Sequence, residues 1–325
     1  MSRAVILGTG SCLPERVLTN FDLEKLVDTS DEWITTRTGI QQRRISSKGE
    51  ETSKLASVAA QNALKMAGCT AEEIDLIIVG TMTSEMTMPS CACLVQKEIG
   101  AMNAFAVDLS AACSGFLYAL DMAEKYILND PDMKILVIGA ETLSTRVNWQ
   151  DRNTCVLFGD GAGACVLAGN DQGRGMLSSR LFSDGRLWEL LSMECAPSMN
   201  HELRKEDHLG SYIKMVGRDV FKYAVRAMED AIDKVLKKEG VTIEQVSLLI
   251  PHQANIRILR SLSERLGISL EKIYINIHKY GNTSAASIPI AIDEANREGR
   301  LQQGDLLLLC AFGGGFTWGA SLLKW

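Results

Sequence analysis

The chain has 325 residues, 46% hydrophobic and 23% charged, enough for the packed core of one large or two ordinary domains. A net charge of −6 excludes general affinity for nucleic acid, which wants a basic surface, and leaves room for a local basic patch. Apolar runs such as LIIVG (76–80) and LLLLCAF (306–312) are far shorter than the roughly 18 residues of a membrane span, and the N-terminal MSRAVILGTGS is too short for a signal-peptide core. A soluble, cytoplasmic protein with no membrane or nucleic-acid partner is the expectation.

In chain order, AVILG (4–8) reads as a strand, 52–67 as a helix, DLIIVG (75–80) and AFAVDL (104–109) as strands, 114–129 as a helix and KILVIG (134–139) as a strand. Short β-branched runs alternating with segments of helical period predict an α/β fold with a mainly parallel, buried sheet. The second half repeats the first. GCTAEEIDLII begins at Gly68 and GVTIEQVSLLI at Gly240, each a helix end, a T-x-E turn and a buried strand. With nearly the same offset KILVIGA (134–140) matches DLLLLCA (305–311), and the turn holding Cys113 matches the turn that holds Asn282 after IYINI (273–277), which reads as a strand. Two duplicated halves, 1–170 and 171–325, packed face to face are expected, with the boundary in the polar, glycine-rich AGNDQGRG. Residues 183–212 read as a surface excursion that carries His201 and His208, both solvated.

Nine cysteines, odd in number and set mostly in apolar surroundings, argue against a disulfide framework, and Cys91 and Cys93 lack both CxxC spacing and nearby histidines. No metal is expected. Cys113 differs from the rest in context: in DLSAACSGFLYALDMAEKYIL a strand stops, small residues turn, and a buried helix begins at about Ser114. A helix N-terminus favours a thiolate. Taken alone, a small buried cysteine accounts for the position equally well. His252, in LLIPHQANIRILRSL, follows a strand broken by Pro251, at the C-terminal edge where open α/β sheets bind ligands; a hydrogen-bonded structural histidine is the competing reading. Asn282, in YGNTSAAS, is by itself an ordinary turn former.

Together the three residues have a chemical logic. A thiolate attacks a thioester and leaves an acyl-enzyme. An imidazole and an amide, with no strong second base, suit an enolate oxygen that appears when a malonyl group loses carbon dioxide. The glycine segments GDGAGA (159–164) and FGGGFTWG (312–319) do not match a phosphate loop and read as tight turns, one of which supplies an oxyanion N–H.

These residues resemble the β-ketoacyl-[acyl-carrier-protein] synthase III family, the initiating condensing enzymes of bacterial fatty acid synthesis. The likeness runs over the whole chain through TNFDLEKLVDTSDEWITTRTGI (19–40), AACSGF (111–116), DRNT (151–154), FGDGAGA (158–164), PHQANIRI (251–258), GNTSAAS (281–287) and AFGGGFTWG (311–319). It implies a thiolase-like fold, a homodimer, and joining of an acyl-CoA primer, acetyl-CoA first among them, to malonyl-[acyl-carrier-protein], with coenzyme A thioester as substrate and no resident cofactor. By position it makes Cys113 the nucleophile, His252 and Asn282 the decarboxylation pair, and the N–H groups of Cys113 and Gly314 the oxyanion hole. It assigns Trp33, Arg37, Arg152 and Asn255 to coenzyme A, Phe158 and Phe312 to the acyl pocket, and Gln253 and Arg257, with Arg260 nearby, to the carrier protein. One position departs from the pattern: many members close the pocket with an aromatic residue contributed across the dimer interface, where this chain has Met88.

Rival chemistries leave different marks. A degradative thiolase needs a second cysteine as base, and Cys310 lies in a strand instead; an elongating synthase needs a second histidine in place of Asn282, and His278 reads as structural. A Cys-His-Asn hydrolase uses the same residue types but must admit water.

Overall fold

The computed structural model describes residues 2–194 and 212–325; His201 and His208 lie outside the described residues. Strand β1 (Arg3–Cys12) is followed by a small hairpin, β2 (Val17–Thr19) and β3 (Gln42–Arg44), which encloses helices α1 (Asn20–Leu23) and α2 (Asp31–Thr38). Next come α3 (Thr52–Ala67), β4 (Leu76–Gly80), α4 (Cys91–Ile99), β5 (Phe105–Leu109), α5 (Gly115–Asn129), β6 (Ile135–Thr142), α6 (Arg152–Cys155) and β7 (Asp160–Asn170). The chain continues through β8 (Gly175–Ser183), the short β9 (Leu191–Ser192) and β10 (Lys214–Met215), α7 (Gly217–Glu239), β11 (Leu248–Pro251), α8 (Ile256–Leu266) and α9 (Ile277–Tyr280). It ends with α10 (Ser287–Arg297), β12 (Leu306–Gly313) and β13 (Thr317–Lys324).

Two mixed sheets organise these elements, one in the order β1-β7-β6-β4-β5 and the other in the order β8-β13-β12-β11. Position by position they correspond: β5, β4 and β6 run parallel, as do β11 and β12, and the strands beyond them are antiparallel. Every residue of β4 and β11 is buried, as strands covered on both faces require. Both are entered in the same way. A helix ends on a glycine in the left-handed region, Gly68 or Gly240, and a reciprocal cap follows, Thr70 with Glu73 or Thr242 with Gln245.

Helices α5 and α10 lie between the sheets. Phe116, Leu120, Ile127, Ile288 and Ile292 share one core with Leu76, Ile78, Leu307 and Leu309. The outer faces are covered by α3 and α4 on the first sheet and by α7 and α8 on the second, giving five alternating layers. Close packing at the centre demands absent side chains: a Cβ at Gly139 of β6 would lie 2.2 Å from the carbonyl oxygen of Ala285. No helix among the described residues is long and apolar enough to cross a membrane.

The structure corrects two expectations about the second half. IYINI does not form a strand. Ile273 makes a single bridge to Leu249, Tyr274 donates its N–H to Leu249, and the chain then turns into α9, because Tyr274 and Ile277 are buried by packing rather than by pairing. The backbone counterpart of Cys113 is also not Asn282. Tight turns at Ala112–Ser114 and Ser284–Ala286 each open on a non-glycine residue at positive φ, Ala112 at 47° and Ser284 at 50°, and each leads directly into a central helix. Cys113 therefore matches Ala285, and Asn282 stands just ahead of the repeated turn.

Candidate active site

The paired turns sit where the central helices meet the ends of the parallel strands. Here a cavity of about 600 Å³ is lined by Cys113, His252 and Asn282 together. Cys113 lies on the turn before α5. That turn is tied to β13 by Ser114 Oγ donating to Thr317 O at 3.0 Å and Thr317 Oγ1 donating to Ala111 O at 2.8 Å. The glycine turn after β12 presses on its other side, where a Cβ at Gly313 would meet Cys113 N at 2.6 Å. Gly314 follows in the cavity wall.

His252 continues β11, its N–H donating to Cys310 O at 2.8 Å. Its Nδ1 is 2.7 Å from Ser287 Oγ at the start of α10, and that oxygen also accepts from Gln253 N at 3.4 Å. The contact with Ser287 fixes the ring through Nδ1, with donor and acceptor set by the tautomer, and leaves Nε2 for the cavity. Burial lowers the pKa of His252 to about 3, so the ring is neutral throughout the physiological range. Asn282 is fixed by its backbone, N–H to Leu157 O at 2.8 Å and O from Gly159 N at 3.0 Å. Its Oδ1 accepts from Ser284 N at 2.8 Å. Nδ1 of His252 and Oδ1 of Asn282 are thus anchored by the fold, and Nε2 of the imidazole and the NH₂ of the amide remain for the cavity. Neutral, preoriented donors of this kind stabilise a developing oxyanion.

Cys113 departs from expectation. Desolvation pushes its thiol up to about 12, although the neighbouring Ser284 hydroxyl pulls the other way. The helix N-terminus does not make a resting thiolate here, because a charge buried this deeply loses more in hydration than the end of one helix returns.

At the cavity mouth, α2 presents Trp33 and Arg37. The guanidinium carbons of Arg37 and Arg152 lie 4.7 and 4.8 Å from the Trp33 ring centroid. Two cations converging on one indole, with Arg37, Arg218, Lys222 and Arg257 in the cavity lining and Arg152 behind Trp33, make a cationic rim on a protein of net negative charge. Asn255 caps α8 by accepting from Arg257 N at 2.9 Å, and it lines the cavity, as do Phe158 and Phe312. Arg260 is exposed on α8.

Gln253 does not belong with these. It is 1% exposed, its NH₂ donates to Pro251 O and Tyr274 O, and its Oε1 accepts from Asn276 N, so it braces the strand end and cannot meet a carrier protein. Met88 lies outside the cavity of its own chain and is 86% exposed. Cys310 is fully buried in β12, and His278 does not line the cavity. The sequence reading missed Arg218 and Lys222, whose signal was only a basic spacing at the start of an amphipathic helix. It also missed Ser284, Ser287 and Glu141. The last was legible as a charged residue near the end of an otherwise apolar strand.

Comparison with known proteins gives a consistent result. Residues 107–185 match the family model "3-Oxoacyl-[acyl-carrier-protein (ACP)] synthase III", and residues 236–325 match its C-terminal counterpart. The β-ketoacyl-[acyl-carrier-protein] synthase III of Desulfotalea psychrophila is 58% identical over 321 residues, covering 99% of both chains. Crystal structures of the synthase III from Aquifex aeolicus and from Thermus thermophilus superpose with a TM-score of 0.92 each, at 53% and 44% identity, covering 100% and 98% of both chains respectively.

Proposed function

Because the chain belongs to the 3-oxoacyl-[acyl-carrier-protein] synthase III family, the condensing acyltransferases that initiate fatty acid synthesis, we propose that Cys113 accepts the primer and that His252 and Asn282 drive the condensation. The thiolate of Cys113 attacks the carbonyl carbon of acyl-CoA, the N–H groups of Cys113 and Gly314 hold the oxyanion, and coenzyme A leaves. Malonyl-carrier protein then enters. Its terminal carbon–carbon bond breaks, carbon dioxide departs, and the electron pair forms an enolate whose oxygen receives Nε2–H of His252 and the NH₂ of Asn282. The enolate carbon attacks acyl-Cys113, the C–S bond breaks, and a 3-oxoacyl-carrier protein is released.

One observation carries this assignment. Both side chains opposite Cys113 are anchored on their far atoms, Nδ1 by Ser287 and Oδ1 by the Ser284 N–H, so in the Nε2–H tautomer they meet the cavity as donors rather than as bases. Arg37 and Arg152, with Trp33, supply charge and a stacking face for the phosphates and adenine of coenzyme A, while Arg257 meets the acidic carrier protein.

A second copy of the chain completes the molecule. Strand β5 is a sheet edge paired only with β4, and it exposes Phe105 and Val107 beside Tyr126. Asp108 of the same strand accepts from Cys91 N and Ala92 N, which ties the edge to the loop that carries Met88. Pairing of two β5 edges would bury this apolar face and bring each Met88 toward the partner's primer pocket.

Incubating the enzyme with acyl-CoA in the presence and absence of malonyl-carrier protein tests the function. Condensation should dominate and thioester hydrolysis should be negligible. His252→Ala and Asn282→Ala should each lower decarboxylation by about two to three orders of magnitude while sparing most of the acyl transfer to Cys113. Rapid hydrolysis, or an equal loss in both half-reactions, would reject the division of labour.

A further inference from the structure

A deeply buried acid next to this site has no part in the scheme above. Glu141 is the penultimate residue of β6 and is wholly inaccessible. Its Oε2 accepts from Thr83 Oγ1 at 2.6 Å and from Met82 N at 3.2 Å. Its Oε1 is buried without a hydrogen-bond partner, and so is Oγ of Ser284. The residues adjoin: β6 packs on the turn Ser284–Ala286, where a Cβ at Gly139 would meet Ala285 O at 2.2 Å, that turn packs on Ala112–Ser114, and Ser284 and Cys113 line the same cavity. The Ser284 hydroxyl accordingly bears on the proton affinity of both the Glu141 carboxyl and the Cys113 thiol. Buried polar atoms in native proteins are nearly always paired, and an exception calls for a reason. The backbone at Ser284 also takes a positive φ of 50°, which a serine seldom adopts, and through its N–H the same residue orients Asn282.

Taking Cys113 as the nucleophile, we propose that Ser284 relays the Cys113 proton to Oε1 of Glu141 as the primer is attacked. The thiol S–H proton passes to Ser284 Oγ while the Ser284 hydroxyl proton passes to the carboxylate. This leaves a thiolate and a neutral Glu141, with no net charge created in the interior. The thiolate forms its bond to the thioester carbon and the bond to the coenzyme A sulfur breaks. The proton then returns through Ser284 to the departing sulfur, so the products are acyl-Cys113 and the free coenzyme A thiol, and Glu141 ends as it began.

Other groups fit the task less well. His252 is engaged through Nδ1 with Ser287 and binds protons too weakly to take one from a thiol. Desolvation raises Glu141 to about 7, matched to proton exchange near neutrality. The titratable groups that bear on it are Asp160 on β7, which raises it further, Cys91 on α4 and Cys113 itself. Asp160 is occupied by Ser46 and Ser144, and Cys91 is a buried thiol raised by desolvation, so neither competes for the Cys113 proton.

Glu141→Gln tests the relay, since the amide oxygen can keep both bonds from Thr83 and Met82 while the base is lost. The rate of transfer of a labelled acetyl group from acetyl-CoA to Cys113 is measured between pH 5.5 and 9. Condensation is measured separately, on enzyme that has been acylated by long incubation. The wild-type acylation rate should rise with pH through about 7. In Glu141→Gln that rise should vanish and the rate at pH 7.5 should fall about 10²-fold, the loss being confined to acylation. Ser284→Ala should reproduce it and serves if the first variant does not fold. A wild-type acylation rate and pH profile in Glu141→Gln, or equal losses in acylation and condensation, would overturn the relay. A wild type that never acylates Cys113 would overturn instead the nucleophile assignment on which it rests.

Discussion

Burial disfavours the charged forms of both His252 and Glu141, and the consequences for pH run in opposite directions. The pKa of His252 is depressed from 6.5 in the unfolded chain to about 3, so the unfolded state binds the extra proton, and stability is lost as pH falls from 6.5 toward 3. The pKa of Glu141 is raised to about 7, so its contribution is present in acid and is lost as pH rises through that value. For His252 the cost at pH 4.5 relative to pH 7.5 is about 2–3 kcal/mol. Urea unfolding of the wild type and His252→Asn at those two pH values should show the variant gaining that amount on the wild type in acid. A stability difference independent of pH would contradict the buried neutral imidazole. These proton affinities were invisible in the sequence, because they depend on which layer buries the residue. The side chains themselves were visible: cysteine, histidine and asparagine at the ends of corresponding segments are a pattern that spacing exposes.

Helix α8 and the repeated turns show what element-scale reading can and cannot supply. Helix α8 starts from the Asn255 cap and carries Ile258, Leu259 and Leu262 into the core, which leaves Arg257 and Arg260 outward. Arg257→Glu should weaken use of malonyl-carrier protein several-fold at low salt while acyl-CoA turnover stays largely intact, and the difference should shrink as salt is raised. Equal, salt-insensitive losses with both substrates would place Arg257 in the fold rather than in the contact. HQAN was legible as a strand end followed by a helix start, yet Gln253 was misassigned, because a glutamine spent on three internal hydrogen bonds looks in sequence like one free to meet a partner. The duplication was legible in Gly68 and Gly240, where glycine, cap and buried strand repeat in order. Its register at the active-site turns was not, since Ala112 and Ser284 take positive φ without the glycine that would advertise it.

At the scale of the whole molecule, five layers place both central helices so that their N-terminal turns open on one cavity, and the sheet edge at β5 remains uncovered. If two copies pair there, Met88 closes a pocket in the partner with an unbranched, flexible side chain that yields more readily than a ring. Propionyl, butyryl and branched four-carbon primers should then be tolerated alongside acetyl-CoA, and Met88→Phe should shift kcat/KM toward acetyl by about 1–3 kcal/mol per methylene excluded. An unchanged ranking of primers in Met88→Phe would remove Met88 from the pocket, and a monomer in solution would remove the shared interface.

Mass spectrometry of peptides from enzyme exposed to a mixture of acyl-CoA thioesters, without malonyl-carrier protein, tests the central assignment most directly. One acyl group on Cys113 is predicted for the wild type, its identity reporting the preferred primer. None is predicted for Cys113→Ala, and His252→Ala and Asn282→Ala should still be acylated. An acyl group on another residue, or equal labelling of wild type and Cys113→Ala, would contradict the assignment.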